Sequence, residues 1–83
     1  MERVIVNIHP FIMRQEVSVY KDTECLEHID CSLNDVAEIC YNLCKKYNIH
    51  HVDYTGHKKF GLKLEEKFAY NYSDFNVEFN YCY

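Results

Sequence analysis

The stretch SLNDVAEICYNLCKKYNIHHVDYTG, residues 32–56, decides the fold. Its apolar positions Leu33, Val36, Ala37, Cys40, Leu43, Cys44 and Tyr47 recur in steps of three and one, the spacing of one buried helix face. Ser32 stands where a capping side chain belongs, and Asp35 follows with a carboxylate three residues on. Asn48 suits a left-handed stop. The period then changes, and Ile49 to Tyr54 reads as a short strand closed by Thr55 and Gly56. This stretch therefore predicts a helix that crosses over to a strand.

Outward from it, the periods stay legible. On the N-terminal side Arg3 to His9 alternates, with Val4, Val6 and Ile8 against Arg3, Ile5 and Asn7. Pro10 has no N–H to give and ends that ladder. Arg14 to Tyr20 alternates again with Val17 and Val19 inward. Lys21 to Glu24 reads as a turn, and Cys25 to Asp30 as a return strand, so the first three strands form an antiparallel meander. On the C-terminal side, His57 to Tyr70 reads as a helix with Phe60, Leu64 and Phe68 four apart and Gly61 permitting close approach. Phe75, Val77, Phe79, Tyr81 and Tyr83 then alternate with Asn76, Glu78, Asn80 and Cys82 in a last strand. The order is β-β-β-α-β-α-β. Right-handed crossovers place both helices on one face of a mixed sheet. The expectation is a two-layer α/β domain spanning residues 1–83, with strand order 3-2-1-4-5.

Composition bounds the setting. Eighty-three residues allow one small domain with a modest core. The hydrophobic share of 48% and charged share of 27% are those of a folded chain rather than a disordered one. A net charge of −4 has the wrong sign for a general nucleic-acid binder, so direct nucleic-acid binding is not expected. No apolar run is long enough to span a bilayer, and no secretory leader is visible, so a cytoplasmic location in a host cell is the expectation. Residues with AT-rich codons (Phe, Tyr, Ile, Asn, Lys) far outnumber Gly, Ala, Arg and Pro, which points to an AT-rich genome.

Five cysteines make an odd number with no regular framework. Cys25-x-x-His28-x-x-Cys31 followed by Cys40-x-x-x-Cys44 invites a zinc reading. Strand alternation scatters the first three over two faces, and Cys40 and Cys44 belong to the helix stripe. These thiols, with Cys82, read as reduced and largely structural; no metal and no cofactor are expected.

Two surfaces are candidates for function. The first is a partner-binding surface of Tyr70, Tyr72, Glu78, Asn80, Tyr81 and Tyr83. Eight Tyr and five Phe exceed what so small a core hides, and Tyr offers contact area with a polar tip. The last strand is also a sheet edge, where polar Glu78 and Asn80 discourage casual pairing, so a monomer or weak homodimer is expected. The second is a ligand site of Asp53, Thr55, Gly56, His57 and Lys58 at a strand-to-helix turn, suited to an anionic nucleotide. His50 and His51 are adjacent on a strand and so cannot chelate one ion together, while His51 and Asp53 share a face. No Ser or Cys stands with His and an acid in a recognisable nucleophile setting.

The element order resembles the ribonuclease H-like fold in its minimal form. That resemblance implies a two-metal site with carboxylates from the first strand, the first helix and the fourth strand. Asp35 or Glu38 and Asp53 match the last two positions, but the first strand offers only Asn7, so a nuclease here would be a degenerate one. The run from Tyr41 to Gly56, with the Lys58 to Glu66 segment after it, resembles small accessory proteins of phages and mobile elements in low-GC bacteria. Anti-CRISPR proteins are among them. That resemblance implies a non-enzymatic inhibitor acting by stoichiometric binding to a host or defence protein, and it carries no functional residue over.

Overall fold

The computed structural model describes residues 2–9 and 14–82. The alternating N-terminal stretches become β1 (Glu2–Ile8), β2 (Gln15–Lys21) and β3 (Glu24–Cys31), joined as an antiparallel meander. Val4 faces Val19 and Val6 faces Val17, so the valines of both strands share one side. Asp22 takes a left-handed φ of 57° in the tight turn between β2 and β3, a conformation its short polar side chain tolerates. Between Val19 and Tyr20 the register shifts, with Glu27 opposite Val19 but Cys25 opposite Tyr20, so Leu26 is an extra, bulged residue. Beyond the bulge, Ile29 and Cys31 join the valine side while His28 and Asp30 turn to the other.

The helix expected from Ser32 begins differently. Ser32 caps no N–H, and its hydroxyl donates to Asp35 Oδ2 at 2.9 Å. Leu33–Asp35 winds as a 3₁₀ turn, and α1 proper is Val36–Tyr47. The tighter winding rotates Leu33 off the buried stripe, and it is 41% exposed. The rest of the stripe is buried as the spacing requires: Val36, Ala37, Cys40, Leu43 and Cys44. Asn48 stops the helix at a φ of 54°, and the next amide, Ile49 N–H, closes back on the Cys44 carbonyl at 2.9 Å.

β4 (His51–Gly56) pairs parallel with β1, α2 spans Lys58–Asn71, and β5 (Glu78–Tyr81) pairs parallel with β4. The strand order is β3-β2-β1-β4-β5, and both helices bury their apolar sides against the same sheet face. Two boundaries differ from the periodicity. β4 starts at His51: the Ile49 N–H still closes back on Cys44, and His50 meets the start of β5 through its carbonyl, which accepts from the Glu78 N–H at 2.8 Å. β5 keeps only four of the alternating residues, because its register begins at His51 opposite Glu78 and Phe75 and Val77 have no strand beside them. Tyr83 lies outside the described residues.

Val4, Val6, Val17, Val19, Val52, Cys40, Cys44 and Tyr54 are completely buried, and Leu64 and Phe68 close the core from α2. Phe60, Val77 and Phe79 pack at its margin. α2 reaches the sheet because Gly61 has no side chain: a Cβ there would lie 2.6 Å from the Tyr54 ring. Gln15, 2% exposed, donates from its amide to the His9 carbonyl at 3.1 Å and accepts from the His9 N–H, tying the end of β1 to the start of β2. No described helix is long and apolar enough to cross a membrane.

Candidate functional site

Because both helices occupy one face, every second residue of five strands is left on a face without helical cover. Its rows follow from register: Ile5 lies between Ser18 and Asp53, and Asn7 between Glu16 and Thr55. Polar side chains pair across these rows. Asp53 lies 3.8 Å from the Arg3 guanidinium and accepts from Asn80 Nδ2 at 3.2 Å. His51 meets Glu78 at 3.7 Å rather than Asp53.

Of the expected partner surface, the five described residues, Tyr70, Tyr72, Glu78, Asn80 and Tyr81, do not share one side of the sheet. Glu78 and Asn80 are exposed on the open face. Tyr81 turns to the helical side, where its ring meets Tyr54 edge-on at 5.8 Å and its hydroxyl donates to Glu65. Tyr72 stacks on Tyr41 at 4.2 Å, and the Tyr41 hydroxyl donates to Asp74 at 2.7 Å. Much of the tyrosine surplus thus binds the α2–β5 connection to α1. Tyr70, 88% exposed at the end of α2, is the tyrosine turned to solvent among those described. The edge strand itself is what Glu78, Asn80 and Tyr81 have in common.

The expected ligand residues do not converge. Gly56, at a φ of 126°, is required because a Cβ would meet the Ile8 carbonyl oxygen at 2.3 Å. His57 caps its own helix: Nδ1 accepts from the Lys59 N–H at 3.3 Å, and its carbonyl accepts from the Tyr54 hydroxyl at 2.6 Å. One of the amides that would greet an anion at the start of α2 is therefore taken. Asp53 and Thr55 belong to the open face. A hollow of about 240 Å³ lies between α1 and α2, but Ile8, Leu33, Ala37, Phe60 and Leu64 make its wall chiefly apolar, and none of the five expected residues lines it.

The nuclease set is also divided. Asp53 and Asn7 lie on the open face, whereas Asp35 and Glu38 belong to the α1 layer on the other side of the sheet. The cysteine motif separates likewise, with Cys31 buried on the helical side and His28 on the open face.

One constellation was missed in the sequence. Glu16, Ser18, His28 and Asp30 meet on the open face near the β3 edge. Ser18 Oγ lies 2.7 Å from His28 Nδ1, and His28 Nε2 lies 3.2 Å from Asp30 Oδ1 and 3.7 Å from Glu16 Oε1. The signal was present as Glu-x-Ser and His-x-Asp, two pairs each on one strand face. Only the bulge at Leu26 brings them into one row. Ser18 is 7% exposed, so its hydroxyl serves to orient the imidazole rather than to meet a substrate.

On the helical side Glu27 accepts from the Tyr47 hydroxyl at 2.8 Å and from Lys46 at 3.1 Å, and these two bonds hold its carboxyl below the ordinary value. Comparison of the chain with protein-family models, with curated proteins and with solved structures gives no match.

Proposed function

We infer that this chain is a non-enzymatic binding protein of a phage or mobile element, acting by stoichiometric attachment to a host or defence protein through its β5 edge. The observation that carries the reading is the edge itself. β5 has a neighbouring strand on one side only, and it presents Glu78 and Asn80 on a face that no helix covers. Such an edge accepts a partner's strand through backbone hydrogen bonds, with alternate side chains setting specificity. The acidic net charge of −4 favours a partner with a basic surface. Glu78 disfavours pairing with a second copy of the same acidic edge, which fits a monomer or weak homodimer in the free state.

The test is capture with tagged protein from a low-GC bacterial lysate, followed by affinity measurement with the purified partner. A 1:1 complex that Glu78→Lys with Asn80→Lys weakens at least about tenfold, at unchanged melting temperature, supports the reading. No protein partner, or one whose affinity the double variant leaves unchanged, overturns it.

A further inference from the structure

We propose that Glu16, His28 and Asp30 form a binding site for a divalent transition ion of the zinc type. The donor atoms of the three groups lie within 4.8 Å of one another. A tetrahedral ion bound at about 2.0–2.2 Å holds its ligands about 3.3–3.6 Å apart. His28 Nε2 lies 3.2 Å from Asp30 Oδ1 and 3.7 Å from Glu16 Oε1, which brackets that spacing. His9 Nε2 lies 3.6 Å from the second oxygen of Glu16, outside the three converging donors.

Two further observations point the same way. Glu16 and Asp30 are directly opposed across β2 and β3, and like charges in that position repel and weaken a sheet. A cation between them turns the repulsion into attraction. Ser18 supplies the second. Its hydroxyl, almost buried, sits 2.7 Å from His28 Nδ1. With an ion on Nε2 the imidazole keeps its proton on Nδ1, and the Ser18 hydroxyl is placed to accept it, the kind of outer hydrogen bond that orients metal-binding histidines. One imidazole with two carboxylates suits zinc-like ions better than magnesium or calcium, which prefer oxygen alone. The cysteines take no part.

The experiment titrates the reduced full chain with Zn²⁺ by calorimetry and repeats the titration with Co²⁺ by absorption. The expected result is one ion per chain with a Kd of about 1 μM or below, and a cobalt spectrum without a thiolate charge-transfer band. His28→Ala and Glu16→Gln weaken binding at least tenfold, Ser18→Ala weakens it about 10–100-fold, and Cys25→Ser leaves it unchanged. Zn²⁺ raises the melting temperature of the native chain but not that of Glu16→Gln, with circular dichroism reporting the fold of each variant. Absence of saturable uptake, uptake that survives His28→Ala, or a thiolate band overturns the proposal. In the first of those outcomes His28 is an ordinary ion-pair partner of the two acids.

Discussion

Replacing Gly61 with alanine tests how α2 is seated. On helix propensity alone the change stabilises by about 1 kcal/mol, since Gly is a poor helix interior residue. The structure opposes that gain. The new methyl would lie 2.6 and 2.9 Å from two carbons of the Tyr54 ring and 3.0 Å from one of Tyr81. Tyr54 is completely buried, so its ring has nowhere to swing, and forcing a methyl into a packed site costs about 1–3 kcal/mol. Displacing the ring also disturbs its 2.6 Å bond to the His57 carbonyl, a further loss of about 1 kcal/mol. The losses outweigh the gain, and the net expectation is destabilisation of about 1–3 kcal/mol. In a domain of this size that lowers the melting temperature by about 5–15 °C. Urea unfolding reads it as a lower midpoint at unchanged slope. In a Tyr54→Leu background the penalty should shrink, giving a coupling energy of about 1 kcal/mol. A Gly61→Ala protein as stable as the parent, or more so, would refute the seating of α2 on Tyr54.

Two other outcomes follow from the same packing. Cys25 and Cys82 are exposed while Cys31, Cys40 and Cys44 are buried, and both a hydrogen bond with Cys44 and burial push the Cys40 thiol up; a thiol reagent should modify two cysteines rapidly in the native chain, and three or more fast reactions would contradict the core. Glu27 lies below its usual 4.5 chiefly through the Tyr47 hydroxyl, and Asp74 below its usual 3.8 chiefly through the Tyr41 hydroxyl. A depressed folded pKa gives stability that is whole above the unfolded values and lost as pH falls through the folded ones. Stability should therefore decline below about pH 4.5, and Tyr41→Phe with Tyr47→Phe should flatten that decline; an unchanged slope would show the two bonds to be idle.

The elements with one buried face were readable because burial imposes a period. Val4, Val6 and Ile8, or Cys40, Leu43 and Cys44, could occupy only one side of a strand or helix; crossover handedness put both helices on one face, and the order 3-2-1-4-5 accommodates a meander followed by two crossovers. Strand ends were less readable. Phe75 and Val77 alternate as well as Phe79 does, but a strand needs a neighbour, and β4 supplies one only from His51 onward. Phe75 instead stacks on His50 at 4.4 Å. The tyrosines show the same limit: composition gave their excess, while contact with Tyr41 and Glu65 is set by tertiary packing. The cluster around His28 was hidden for a sharper reason. Without the bulge at Leu26, His28 would lie on the face opposite Cys25, away from Ser18; the extra residue puts both on the open face, because a one-residue slip reverses every side chain beyond it.

The strand order places the two proposed sites far apart. Glu16, His28 and Asp30 sit on β2 and β3 at one edge, and Glu78 and Asn80 sit on β5 at the other, with β1 and β4 between. At about 4.8 Å per strand the separation between the β3 and β5 edges is near 19 Å, well beyond the distance at which substitutions couple directly. A charge change at Glu78 therefore leaves the ion site with the same ligands and the same Ser18 bond. Removal of His28 leaves β5 paired with β4 as before. Partner affinity and zinc affinity thus report on different edges, and the loss of one with retention of the other identifies which edge is at work. The core beneath is common to both. Only a change to a residue such as Tyr54 or Val6, buried under the middle strands, would be expected to disturb the two together, and it would do so through stability.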